Sequence, residues 1–286
     1  MSLASRNRLN LALLAAVVLL GLLAYFRPGT KPETAAQPLV ANPDQIHQLR
    51  IALAGQLEVD LQKDGESWDM SAPLRWPADA ALVQDFLDAL SEPPSNSFPA
   101  QGSDLATYGL DKPLARFWLD GAEYDFGALQ PISKERYLMG GGRIYLVDGY
   151  LFARIARNPY GWLNHHLFPE GSRITALQLP DATLTQDSRG NWQIAPADRR
   201  LSPAALGKFV QGWQAATARD VAAYSKAKSA GEVAVALAGV KDPLRFEILE
   251  DPDFLVLARP DLGFEYQLDI GQTDTLLTPA SAAATH

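Results

Sequence analysis

Two hexapeptides carry the plan of this chain: Gly109-Leu110-Asp111-Lys112-Pro113-Leu114 and Gly239-Val240-Lys241-Asp242-Pro243-Leu244, 130 positions apart. Each places glycine ahead of an apolar residue and proline after two polar ones, the composition of a turn that delivers the chain into a strand. Upstream, the same signals recur in the same order. Ile46, Leu49 and Ile51 match Ile174, Leu177 and Leu179 at an offset of 128, while Trp68 matches Trp192, and Ala81-Leu82 matches Ala205-Leu206, at 124. Ordered matches with small changes of offset are what a tandem duplication leaves behind.

The first copy opens with Leu49, Ile51 and Leu53 alternating with polar or small residues. After Ala54-Gly55 the alternation resumes at Leu57, Val59 and Leu61 with Glu58 and Asp60 outward, which predicts a hairpin with one wet face. A short Trp68 strand follows, then a helix from Ala78 to Ser91 with Leu82, Phe86 and Leu90 inward and Asp79 near its start. Phe117 to Phe126 and Tyr137 to Val147 are strand-rich. Gly140-Gly141-Gly142 interrupts the second as a hairpin turn, since neither a helix nor a lysine follows to make a phosphate cradle. In the second copy Ser202 caps a helix with Pro203 at its first position and Leu206, Val210 and Trp213 inward. The segment from Asp148 to Phe168 reads as mostly helical until Asn158-Pro159 and joins the copies. The expected fold class is α+β: two tandem similar lobes of antiparallel strands with one main helix each, after a single N-terminal transmembrane helix.

That helix is read from Leu9 to Phe26, an uncharged run of 18 residues with Asn10 its only strongly polar side chain. At about 1.5 Å per residue it would match the hydrocarbon thickness of a bilayer. A cleaved signal has a shorter core with small residues close behind it, whereas here Arg27, Pro28, Gly29, Thr30 and Lys31 follow and Ala35-Ala36 lies farther on. The run is therefore read as a retained signal anchor with the body exported. The expected divisions are a cytoplasmic tail over 1–8, the membrane helix over 9–26, a proline-rich linker over 27–45, lobe 1 with the connecting helix over 46–171, lobe 2 over 172–275 and a disordered tail over 276–286.

The net charge is −8, and the four cations of residues 1–31 leave −12 for the rest. An acidic body without a basic patch argues against nucleic acid and against a polybasic grip on anionic lipid. The chain has no cysteine, so disulfides, thiolate metal sites, cysteine nucleophiles and an acylated lipoprotein cysteine are excluded. Anchor and composition together place the body in a bacterial periplasm, against the inner membrane.

With these motifs in view the chain resembles the bacterial domain-of-unknown-function family 4340. The likeness rests on the N-terminal apolar helix, Gly65 to Pro73 before a helix, the Tyr108 to Pro113 turn, the strand end Asp125-Phe126-Gly127, and the aromatic, basic stretch Trp162 to Pro169. It covers residues 1 to 275. The resemblance implies a membrane-anchored envelope protein, often encoded beside subunits of ABC-type exporters like those of gliding-motility systems, and no catalytic residues. One departure is that the second copy has Ala238-Gly239-Val240 where the first has Tyr108-Gly109-Leu110.

His165-His166 with Glu170 has imidazole and carboxylate suited to zinc, but adjacent residues point apart and no third histidine stands at ligand spacing, which favours a surface or interlobe role. His47 reads as a partly buried strand residue, and His286 belongs to the polar tail. No G-x-S-x-G is present, and Ser225-Lys226 are adjacent, the wrong geometry for activation. Asp251 and Asp253 flank Pro252 in what reads as a hairpin turn, where aspartates serve turn chemistry. Trp68 and Trp192 read as core anchors. Tyr160, Trp162 and Phe168 surround the lobe junction, the preferred place for a functional groove. No catalytic, cofactor-binding or metal residue is assigned and no enzyme activity is expected. The expected function is a membrane-anchored periplasmic binding or accessory protein of an ABC-type transport complex. The alternatives are an envelope hydrolase acting on cell-wall glycan or peptide, and a small-ligand sensor using the interlobe groove.

Overall fold

The computed structural model describes residues 37–169, 171–198 and 200–279. The Leu9 to Phe26 run lies outside them. Among the described residues no helix is long and apolar enough to cross a membrane.

The first lobe runs β1 (Gln48–Leu53), β2 (Val59–Asp64), β3 (Ser67–Ala72), β4 (Trp76–Pro77), α1 (Ala80–Ala89), β5 (Asn96–Pro99), β6 (Ala115–Leu119), β7 (Ala122–Leu129), β8 (Arg136–Gly140), β9 (Arg143–Val147) and α2 (Tyr150–Ile155). The second runs β10 (Ile174–Gln178), β11 (Thr183–Gln186), β12 (Trp192–Ala195), α3 (Pro203–Ala215), β13 (Asp220–Ala223), β14 (Ser229–Leu237), β15 (Leu244–Leu249), β16 (Phe254–Arg259), β17 (Phe264–Asp269) and α4 (Gln272–Leu277). Each lobe is one antiparallel sheet, in the order β4-β3-β2-β1-β6-β7-β8-β9-β5 and β12-β11-β10-β14-β15-β16-β17-β13. The orders coincide except that lobe 1 carries β4 as an extra edge strand. The expected pair of similar antiparallel lobes is therefore present.

The sheet corrects one part of the duplication. By position beside β1 and β10, β6 corresponds to β14, so the first hexapeptide precedes the first strand of a four-stranded meander while the second follows it. Both glycines are left-handed, Gly109 at φ 66° and Gly239 at φ 79°. The shared letters encode one local turn used at two different joints, not one place in the fold.

In lobe 1 that turn has a tertiary role. A Cβ on Gly109 would lie 3.0 Å from the Ala128 backbone nitrogen, and one on Gly127 would overlap the Tyr108 carbonyl oxygen and crowd Leu110, whereas Gly239 has open space. The Tyr108 turn and the Asp125-Phe126-Gly127 strand end are thus two halves of one contact. Tyr108 also packs its ring on Phe98 and Tyr137, at 5.5 and 4.8 Å between centroids. Gly127→Ala is expected to destabilise by about 1–3 kcal/mol, because backbone rather than a flexible side chain must move. Gly239→Ala should cost only the strain of a left-handed alanine, about 1–2 kcal/mol. Denaturant midpoints of the two variants check the ranking.

Helix α1 is shorter than the expected Ala78 to Ser91 because Asp79 caps it, its Oδ1 accepting from the Ala81 and Leu82 N–H groups at 3.0 and 3.1 Å. Its buried face is Val83, Phe86 and Leu87, followed by Leu90, so Leu82 is only half-buried. In α3 the Ser202 hydroxyl caps Ala205 N–H at 3.2 Å, and Leu206, Phe209, Val210 and Trp213 face inward. Gly141 and Gly142 form the two-residue β8–β9 turn with φ 55° and 75°, the conformation a tight hairpin asks of glycine.

Several boundaries differ from the expectation. Strand β2 begins at Val59 and leaves Leu57 exposed. His47 is exposed just before β1, its N–H donating to Asp120 Oδ1 at 3.0 Å. The connecting helix α2 is only six residues, because the chain leaves helical geometry at Ala156, before Asn158-Pro159. The linker and tail are partly folded: Val40 is buried with its N–H on Leu90 O at 3.2 Å, and Leu276 is buried in α4.

Candidate functional site

The lobe junction is where aromatic residues of the connector converge, and the structure fills it. Trp162, Leu163, Leu167 and Phe168 are buried and belong to one apolar cluster that includes core residues of both sheets. The connector is stitched to lobe 1 by Asp79 N–H donating to Trp162 O at 2.9 Å and an Ala78–Leu163 bridge. On the other side Ala218 N–H donates to His165 O at 2.8 Å, and His166 bridges Thr217. Trp76 on β4 adds a clamp: its ring sits 5.8 Å from Phe264, and its Nε1–H donates to the Tyr266 hydroxyl at 3.2 Å. Tyr160, Trp162 and Phe168 therefore hold the lobes together instead of lining the expected groove.

Burial pushes the Tyr266 phenol well above its ordinary value of 10.0, opposed in part by the Trp76 hydrogen bond. The unfolded phenol loses its proton near pH 10 while the native one keeps it. Stability is thus fully present below about pH 10 and falls as pH rises beyond it. Tyr266→Phe is expected to flatten that decline, read from denaturant midpoints across alkaline pH.

The histidines are divided by the connector. His166 is exposed, its Nδ1 3.3 Å from Thr217 Oγ1; His165 is half-buried with Nε2 unpartnered; Glu170 lies outside the described residues. Among the described residues no group of three histidine, aspartate or glutamate side chains is placed to hold a metal ion. Asp251 does turn work as expected, with Oδ1 accepting from the Asp253 and Phe254 N–H groups, both at 2.9 Å. Trp68 is buried, whereas Trp192 is half-buried against Gly207 of α3.

Sequence reading missed the polar system of lobe 2. On one sheet face Glu232, Glu247, Ala258 and Glu265 stand in register across β14 to β17. The chain crossing this face from β13 to β14 supplies Tyr224 and Ser225. The Tyr224 hydroxyl donates to Glu247 Oε2 at 2.7 Å, which raises the phenol's pKa with help from desolvation. Ser225 gives both N–H and O–H to Glu265 Oε2, at 2.8 and 2.7 Å, with Glu265 only 4% exposed. A carboxylate holding a serine hydroxyl and its backbone N–H clasps the crossover to the sheet. Alternation in β15 and β17 was visible, but which glutamates share a row depends on register, and that is set by pairing.

Beside this row lies a groove of about 790 Å³ bordered by Glu232, Asp242, Arg245, Glu247, Arg259 and Asp261. Arg245 pairs with Glu232. Arg259 is 5% exposed, lies over Trp76 and Phe246 at 5.1 and 5.7 Å, and grips Asp261 through Nε and Nη2 at 2.9 and 2.8 Å. That fork holds the Asp261 carboxyl below the ordinary carboxylate value. Its Nη1 is buried without an acceptor. Asp242 and Glu247 have no cation partner among the described residues. Lobe 1 has a comparable groove of about 810 Å³ rimmed by Leu39, Leu129, Tyr150 and Arg154.

Lobe 1 carries its own buried acid, Asp125, with Arg116 Nε donating to it at 2.6 Å, and a stack in which the Arg50 guanidinium lies 3.8 Å from the Trp118 ring. The acid pairing raises the pKa of Arg116.

Among known proteins, no curated sequence and no solved structure matches this chain. A family model described as a domain of unknown function matches residues 68–239, from the Trp68 strand of lobe 1 to the turn after β14, which is more than half the chain. The helices α1 and α3, the connector and the crossover from β13 to β14 fall within that match, and by it the chain belongs to the family DUF4340.

Proposed function

We propose that this chain is a membrane-anchored, periplasm-facing binding protein that serves as an accessory to an ABC-type transport complex. The observation that carries the reading is the junction: a buried connector and the Trp76 clamp fuse two lobes into one body, with an open groove left on each. A fused pair of sheets offers a broad, preorganised surface, which binds without a cost for ordering domains. Buried carboxylates and arginines serve intramolecular pairs, as in Asp125 with Arg116 and Glu265 with Ser225. Leu9 to Phe26 would hold this body at the bilayer and raise its effective concentration beside membrane partners.

The test is capture of the full chain from membranes in mild detergent, with a body lacking residues 1–26 as the control. Enrichment of a transport ATPase and its permease with the full chain supports the reading. Absence of both, or recovery of the chain from the soluble fraction with the apolar run removed, overturns it.

A further inference from the structure

Strand pairing gathers the exposed apolar side chains of lobe 1 at one end of its sheet. Strands β1, β7 and β9 finish there and β2, β6 and β8 begin there, because Ile51 pairs with Val59, Leu53 with Ala115, Leu129 with Arg136, and Arg136 with Val147. Of the seven large apolar side chains exposed among the described residues, five belong to this end: Leu57, Leu114, Leu129, Ile132 and Tyr150. The most exposed, Ile132 at 89%, stands on a built turn, in which Gln130 Oε1 accepts from the Ile132 and Ser133 N–H groups at 2.9 and 2.5 Å and from the Ser133 hydroxyl at 2.8 Å. The fold itself does not ask for an apolar tip. In lobe 2 the turn between the equivalent strands β15 and β16 is Glu250-Asp251-Pro252-Asp253, exposed and acidic, although those strands hold the same places in their sheet.

The chain also enters the fold at this end. Leu39 lines the same groove as Leu129, Val147 and Tyr150, and residues 27–36 separate Phe26 from the first described residue. Those ten residues reach at most about 35 Å, less than the width of about 45 Å expected of a compact body of this size. With Leu9 to Phe26 in a bilayer, the rim is held beside the lipid. Around it Glu92, Glu135 and Asp148 stand against Lys134 and Arg154, which leaves no excess of cations to grip anionic headgroups. Apolar insertion is the contact that such a rim can make.

We propose that this end of lobe 1 rests on the bilayer that the anchor crosses, with Ile132 and Tyr150 entering the interfacial layer of zwitterionic lipid. Tyrosine is favoured at that level and an aliphatic tip gains by leaving water there. The proposal rests on the reading of Leu9 to Phe26 as a membrane anchor and adds which end of the body faces the lipid.

The chain has no cysteine, so one introduced cysteine carries a fluorophore at that position alone. The test uses the full chain in phosphatidylcholine nanodiscs, one chain per disc, with an environment-sensitive label at Ile132→Cys. A label at Val240→Cys, on the exposed turn after β14 in lobe 2, is the comparison. The Ile132 label is expected to shift its emission to the blue and to lose about half of it when lipids carry a spin label at the depth of about 5–10 Å that interfacial side chains reach. The Val240 label should do neither. High salt should leave the quenching in place, since the contact is apolar. Ile132→Asp changes a side chain already in solvent, and it should abolish the quenching of a label at Tyr150→Cys. An unquenched Ile132 label, equal quenching at Val240, loss of the contact in salt, or a Tyr150 label indifferent to Ile132→Asp each overturns the proposal, and the first would leave the rim to a protein partner or a second copy. Extraction with alkaline carbonate separates this from the anchor: release of the chain from membranes overturns both readings, whereas retention with an unquenched Ile132 label overturns this one alone. The discs contain no transport subunit, so the capture experiment is decided independently.

Discussion

Trp162→Ala is expected to destabilise both lobes together, by about 3–5 kcal/mol, and to leave a single unfolding transition. The indole is 1% exposed, meets Phe86 of α1 edge-on at 6.4 Å and carries the Arg157 guanidinium at 5.1 Å. Burial depresses the pKa of that guanidinium, with Asp220 and Asp79 opposing the shift. The backbone of the same residue accepts from Asp79, the cap of α1. Removing the ring empties a site that apolar atoms of both lobes border, and a cavity there has no flexible segment to collapse into it. Within wild type and within the variant, fluorescence and far-ultraviolet dichroism should trace coincident denaturant curves, with the variant's midpoint lower. Two separated transitions would show that the lobes are independent and sink the account of a fused core.

The second large effect is at Trp213, whose consequence is local. Its ring is 0% exposed on the inner face of α3, and its Nε1–H donates to Leu276 O at 2.6 Å. Trp213→Ala should cost about 3–5 kcal/mol through the lost ring. Trp213→Phe separates the hydrogen bond from the packing: it keeps most of the ring, strands the Leu276 carbonyl, and should cost about 1–3 kcal/mol. Because that bond ties α4 to lobe 2, Trp213→Phe is expected to speed amide exchange over residues 272–277 while protection in β14 to β17 is retained. Unchanged exchange in α4 would show that the helix is held by something other than the indole.

Local patterns carried most of the fold. Alternation in β1 and β2, the Ser202 cap and a glycine turn within 140–142 are short-range physics, and each is present, although β2 starts at Val59 instead of Leu57. The duplication was also legible, though its best-matching pair was not its most equivalent one. Gly109 and Gly239 share a conformation because any chain entering a strand through a left-handed glycine and a proline reads that way. Only sheet order reveals that one stands before the meander and the other inside it. The junction was misjudged as a groove since aromatic content says that residues bury surface, not whether a partner or their own chain covers them. The row Glu232, Glu247, Glu265 and the unpaired Arg259 Nη1 were beyond reach, because each depends on pairing register and on which neighbours claim a side chain first.

Trp76 reaching from β4 onto Phe264 and Tyr266 has a historical side. Among the described residues lobe 2 has no strand in the place of β4, so the halves are no longer interchangeable: one grew a hook and the other the eye that receives it. A gene that sheds either half would produce a fragment with its former seam bared to solvent and prone to clump. Descendants of this duplication are therefore constrained to inherit both copies or neither, and further change is steered toward their outer rims.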